Sequence, residues 1–133
     1  MKRAFTLLEL IIVIIVVGIL AVLGLTQYSR VLEKSRVAEA MAILGAARKA
    51  QISYYTEKGA YTSSYTELGI GVPAGCTSTH YFSYSYNVGA WPCDGGSYNY
   101  ASRCTINGKT PNAQTTYIIR LCTDTGIWTN DAY

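Results

Sequence analysis

The chain has 133 residues, of which 50% are apolar and only 14% carry a charge, well below the roughly 25% of an ordinary soluble domain. Twelve tyrosines exclude a disordered chain, and a net charge of only +3 disfavours a dedicated nucleic-acid-binding protein, which would gather more positive charge on one face. The single histidine, His80, argues against a histidine-rich metal site and against histidine-based catalysis. We therefore expect one domain that is not an enzyme, with no cofactor, no metal and no specific nucleic-acid site.

The N-terminal part is dominated by a run of twenty uncharged residues, 10–29. About 20 mostly apolar residues span a bilayer as a helix, and Lys2 and Arg3 before the run predict a cytoplasmic N-terminus. A cleaved secretory signal fits less well, because the run exceeds 7–15 residues and no A-x-A-like site follows it. Glu9 at its start is costly in a membrane, so it either lies among the headgroups or has a partner.

The helix is predicted to continue beyond the apolar run. No proline occurs between residues 28 and 55, and apolar residues recur there at helical spacing. They are Val37, Ala40, Met41, Leu44 and Ala47. We therefore expect one helix over residues 5–56, hydrophobic over 5–29 and amphipathic over 30–56.

The head, residues 57–133, is predicted to be a small antiparallel sheet. Gly59 ends the helical pattern, and residues 59–75 have the composition of a loop. Strict alternation predicts a strand over 81–88 with Phe82, Tyr84, Tyr86 and Val88 on one face. Further strands are predicted at 97–101, 115–122 and 127–129, joined by turns at 94–96 and 124–126.

The head contains all four cysteines, and an even number in a small non-cytoplasmic domain predicts two disulfides. They are Cys76, Cys93, Cys104 and Cys122, with no C-x-x-C pair. Three pairings are possible, and we prefer Cys76–Cys93 with Cys104–Cys122 because these close the shortest loops.

Other chemistry in the head is sparse. Asp94, Asp124 and Asp131 are scattered, whereas calcium needs six to eight oxygens and usually several neighbouring carboxylates. The tyrosines and Trp91 are expected mainly to fill the faces of the sheet; an alternative is a surface patch for carbohydrate or for another subunit.

Residues 2–9, K-R-A-F-T-L-L-E, resemble the class III signal of type IV pilins and pseudopilins. In that family a short basic leader ends in a small residue, usually glycine and here Ala4, and is followed by a phenylalanine and a glutamate such as Phe5 and Glu9. The motif Tyr-Tyr-x-x-x-Gly-x-Tyr at 54–61 is also similar. Thr26 stands where many major pilins have proline, which keeps the pseudopilin alternative open.

The resemblance implies an α+β, pilin-like fold whose hydrophobic half-helix protrudes from a disulfide-stapled head. It implies removal of residues 1–4 by a prepilin peptidase that cuts between Ala4 and Phe5, followed by N-methylation of Phe5. It also implies that Glu9 pairs with the Phe5 amine of a neighbouring subunit and sets the register of assembly.

The implied function is that of a structural subunit of a type IV pilus, a helical homopolymer used in adhesion, motility, DNA uptake or surface attachment. The precursor would cross the inner membrane once, and an assembly platform and a separate motor ATPase would move it into an extracellular filament. One alternative is a pseudopilin of a type II secretion or competence pseudopilus. An alternative of another class is a monomeric, membrane-tethered binding domain.

Overall fold

The chain was analysed as a computed structural model that describes residues 5–73, 75–88, 93, 96–105 and 117–131, without the side chain of Thr26. The fold is α+β, as predicted. It consists of α1 (Leu7–Lys58), β1 (Phe82–Val88), β2 (Ser97–Arg103), β3 (Ile118–Cys122) and β4 (Trp128–Asn130). The chain divides into two compact units, Met1–Lys34 and Ser35–Tyr133, and α1 contributes residues to both.

The predicted long helix is confirmed, with both ends two residues further along the chain than expected. Gly59 follows the last helical residue and forms a left-handed cap: its φ is positive (72°), and its amide donates a hydrogen bond to the Tyr55 carbonyl (2.8 Å). Glycine adopts this conformation without the steric cost that a Cβ would add. The helix therefore ends immediately before Gly59, the residue at which the helical sequence pattern stops.

The four strands form one antiparallel sheet in the order β1-β2-β3-β4. The predicted strands are confirmed within the described residues, although β2 runs two residues further than predicted and β3 begins at Ile118, one residue after Tyr117. Positions 115 and 116 of the predicted third strand lie outside the described residues. A sheet in which each strand pairs with its neighbour in the sequence is the simplest antiparallel arrangement.

The core of the second unit lies between one face of the sheet and the α1 residues 37–47. It includes Val37, Ala40, Leu44, Phe82, Tyr84, Ala101, Ile119 and Leu121. The helical spacing of the first three and the strand alternation of the others produce this shared face. Two residues predicted on the buried faces are not buried: Met41 is 37% exposed and Val88 is 71% exposed, because both lie at the margin of the interface.

Two disulfides are present as predicted, but the preferred pairing was wrong. The structure pairs Cys76 with Cys104 and Cys93 with Cys122, at Cα separations of 5.6 and 5.7 Å.

The register of the sheet explains this correction. Cys122 lies opposite Tyr98, near the start of β2, whereas Cys104 follows the end of β2, about 20 Å away at 3.3 Å per residue. A disulfide needs Cα atoms within about 7 Å, so Cys104–Cys122 is excluded. The same argument excludes Cys76–Cys93, because these cysteines flank β1 at opposite ends.

The turn between β3 and β4 is held against α1 by hydrogen bonds. Arg48 donates from Nε to the Thr123 carbonyl (2.8 Å) and from Nη2 to the Asp124 carbonyl (3.2 Å). Tyr61 donates its hydroxyl to Oδ1 of Asp124 (2.6 Å) and stacks on Tyr55, with ring centroids 4.6 Å apart. These contacts give Tyr55 and Tyr61 of the 54–61 motif a structural role in fixing the turn.

Candidate assembly site

The N-terminal part of α1 exposes an apolar surface on all its sides. Fifteen large apolar side chains between Leu7 and Leu25 are each at least 43% exposed, and Phe5 is 83% exposed. Successive residues of a helix are rotated by about 100°, so the unbroken apolar run from Leu10 to Val17 covers every direction around the axis. A helix that is apolar all round is stable only when it is buried, in a membrane or against other chains.

This helix is long and apolar enough to cross a membrane. The hydrophobic span predicted from residues 10–29 is thus helical over its whole length. Length and composition fit a bilayer of roughly 30 Å of hydrocarbon.

Glu9 and Thr6 form a reciprocal cap at the start of α1. The Glu9 carboxylate accepts hydrogen bonds from the backbone amide and the hydroxyl of Thr6, both at 2.9 Å. In return, the amide of Glu9 donates to the Thr6 hydroxyl oxygen at 3.2 Å. This arrangement is a capping box, which satisfies two helix N-terminal amides that would otherwise lack partners.

The cap engages only part of the Glu9 carboxylate. Both bonds from Thr6 end on Oε2, and among the described residues Oε1 of Glu9 makes no hydrogen bond. A carboxylate has about four lone-pair positions, so Glu9 has capacity for a further donor while it caps the helix. An ammonium group is the donor that would also balance its charge.

Sequence reasoning singled out Glu9 but missed Thr6. The signal was available, since Ser or Thr followed three residues later by Glu or Gln, before an apolar run, is the sequence pattern of a capping box. Of the other predicted residues, Phe5 is exposed just before the helix, and Ala4 lies outside the described part of the chain.

The acidic residues considered for calcium do not converge. Asp124 accepts the Tyr61 hydroxyl, and Asp131 binds the Arg120 guanidinium through both its oxygens (2.8 and 2.7 Å). Asp94 and Trp91 are outside the described residues. Within the described ranges, no three His, Cys, Asp or Glu side chains lie together in a way that could hold a metal ion.

Comparison with known proteins finds pilins and fimbrial proteins. The chain is 36% identical over 69 residues to fimbrial protein EcpC of Eikenella corrodens, a match covering 52% of this chain and 45% of that protein. It is 32% identical over 93 residues to the type IV major pilin protein PilA of Myxococcus xanthus, covering 70% and 40% respectively. It is 34% identical over 73 residues to the type IV major pilin protein PilE1 of Neisseria gonorrhoeae, a match covering 55% of this chain and 44% of that protein.

The chain thus spans less than half the length of the curated relatives it matches. No family model matches it, and neither does any solved structure. The long apolar helix, the four-stranded antiparallel sheet and the two disulfides of this chain are nevertheless consistent with a type IV pilin-like fold. In sequence and in its α+β fold, the chain is thus similar to type IV pilins.

Proposed function

We propose that the chain is a structural subunit that polymerises through α1 into a type IV pilus filament. The observation that supports this best is the apolar surface of α1 from Leu7 to Leu25, exposed on every side. Covering such a surface contributes roughly 25 cal/mol per Å² of apolar area removed from water. A bilayer would cover it in the precursor, and the same helices of identical subunits would cover it in the filament.

The four domains expected from the sequence fit this cycle. Residues 1–4 would be the leader, cut from Phe5 by a prepilin peptidase in the inner membrane. Residues 5–29 would form the membrane span and later the filament core, while 30–56 and 57–133 would form the amphipathic helix and the head. The assembly platform and motor ATPase would be separate proteins.

Glu9 would set the axial register of the filament. Cleavage would give Phe5 a free amine, which N-methylation leaves positively charged. In the low-dielectric helix core an unpaired carboxylate or ammonium is expensive, whereas a close pair of opposite charges attracts strongly. The open Oε1 of Glu9 would therefore accept the Phe5 amine of a neighbouring subunit, while Oε2 keeps the cap on Thr6.

Three variants separate the charge of Glu9 from its capping role. Glu9→Gln keeps the cap, since glutamine also serves in a capping box, but removes the charge. Glu9→Val removes both the cap and the charge. Thr6→Val keeps the charge but removes the cap, which costs about 1 kcal/mol of helix stability. By electron microscopy of the native host, we expect few or no filaments from either Glu9 variant and a reduced but clear yield from Thr6→Val.

Membrane fractionation provides the control, because all three variants should still enter the membrane. Abundant normal filaments from Glu9→Gln would overturn the register role. The intact mass and N-terminal sequence of the native protein test the processing step. A methylated Phe5 start with long surface filaments supports a pilus, the same start with none points to a pseudopilus, and an unprocessed Met1 start indicates a tethered domain.

A further inference from the structure

The sheet face turned away from α1 carries a set of polar and aromatic side chains that assembly through α1 does not use. Residues that alternate with the core positions occupy it, and the register places them side by side across the strands. They are Ser83, Ser85, Asn87, Tyr98, Tyr100, Ser102, Arg120 and Thr129. We call this set the outer face.

Two tyrosines form the centre of the outer face. The rings of Tyr98 and Tyr100 are partly exposed, with centroids 5.8 Å apart and planes inclined by 46°. Asn87 donates from Nδ2 to the hydroxyl oxygen of Tyr98 at 3.1 Å, which leaves the phenol proton as a donor. The pair thus offers ring surface bordered by hydrogen-bonding groups.

Arg120 lies beside this pair without contributing net positive charge. It is opposite Tyr100 on one side and Thr129 on the other, and Asp131 binds it through two parallel hydrogen bonds. The carboxylate of Asp131 remains half exposed and keeps further acceptor capacity. A polyanion, which binds through free lysine and arginine charges, is therefore a poor ligand for this face.

Neutral sugars match this chemistry. A pyranose ring with equatorial linkages presents a face of C–H groups and a rim of hydroxyls. The C–H groups fit against the electron-rich face of an aromatic ring. The hydroxyls both donate and accept, as the amide, phenol and carboxylate groups around the tyrosine pair require.

We propose that the outer face is a binding site for a neutral glycan with equatorial linkages, stacked on Tyr98 and Tyr100 and hydrogen-bonded by Asn87 and Asp131. An open face buries less of a ligand than a cleft does, so a single site is weak. If α1 forms the filament core, as proposed above, the outer face is repeated along the filament surface. Repetition would turn weak sites into strong attachment by avidity.

The test uses the full-length protein in micelles of a sugar-free detergent, so that it does not depend on filament assembly. Cellohexaose and N-acetylchitohexaose serve as neutral probes, and heparin and oligothymidylate as anionic ones, each titrated by calorimetry. We expect weak binding of at least one neutral probe. Tyr98→Ala and Tyr100→Ala should each weaken it by about fivefold to tenfold.

Tyr28→Ala is the matched control, because Tyr28 is an exposed tyrosine of α1 that makes none of the contacts described above for the head. Tyr98→Phe keeps the ring and should retain most of the affinity. Absence of binding by both neutral probes, binding of the anionic probes alone, or equal loss in Tyr28→Ala would each overturn the proposal. None of these results bears on polymerisation, which electron microscopy tests separately.

Discussion

Asp131 and Arg120 illustrate how a single residue pair fixes the last strand of the sheet. The two parallel hydrogen bonds to Arg120 lower the pKa of the Asp131 carboxyl below its usual value. The Asp131 amide also donates to the Ile118 carbonyl at 3.1 Å, so main chain and side chain both hold β4 to β3. The side chain of Asp131 is 48% exposed, which limits the strength of the ion pair through solvent screening.

Replacing Asp131 by asparagine should lower the free energy of unfolding by about 1 kcal/mol at pH 7. A carboxyl whose pKa is lowered in the folded state stabilises it above the unfolded-state pKa of about 3.9 and loses this effect as the pH falls through the folded pKa. Urea unfolding in detergent should show the difference between wild type and Asp131→Asn at pH 7, and the difference should shrink as the pH falls below about 3.9 and through the lowered folded-state pKa. A difference that persists at low pH would contradict this account.

At the residue scale, local partners can be inferred from the sequence and distant ones cannot. The Thr6–Glu9 cap follows from a spacing of three residues, and Gly59 follows from the helix-end pattern. By contrast, the bond between Arg48 and Thr123 joins residues 75 positions apart and depends on how α1 packs on the sheet. No local pattern around Arg48 indicates that packing.

The elements themselves were largely predictable because each has a clear hydrophobic period. The period of 3.6 along residues 37–47 and the period of 2 along residues 82–86 identify the two buried faces correctly. Periodicity does not show which residues of a stripe lie at the edge of the interface. Met41 falls within the predicted stripe but lies in a groove beside Trp128 on the edge strand, where the sheet ends.

Leu44→Ala should destabilise the head far more than Met41→Ala. Leu44 is fully buried between α1 and the sheet. Its truncation removes buried methyl groups and leaves a cavity, which should lower the free energy of unfolding by about 2–5 kcal/mol. Met41 is partly exposed, and its truncation should cost less than about 1 kcal/mol. Denaturant unfolding followed by tryptophan fluorescence measures both, and equal losses would place Leu44 outside the core.

At the scale of the whole molecule, the fold class was predictable and the disulfide pairing was not. Loop length favours neighbouring cysteines, but strand register decides which cysteines can meet. Register depends on hydrogen bonding between strands far apart in sequence, and the cysteine spacing carries no information about it. The resulting bonds staple opposite ends of the sheet.

Each disulfide should contribute about 3.5 kcal/mol in the chain-entropy model, since the bonded residues are 28 and 29 positions apart. The paired variants Cys76→Ala/Cys104→Ala and Cys93→Ala/Cys122→Ala should therefore lose similar amounts of unfolding free energy. Each should keep the other disulfide, as non-reducing peptide mapping would show. A native Cys76–Cys93 peptide would contradict the pairing.

The order of the four cysteines has a consequence for how the head responds to proteolysis. The two disulfide-closed segments overlap between residues 93 and 104, so any single break of the main chain between Cys76 and Cys122 is bridged by at least one disulfide. A protease that cuts one exposed loop in this span would nick the head without releasing a fragment. With neighbouring cysteines paired instead, one cut between residues 93 and 104 would have severed the head in two.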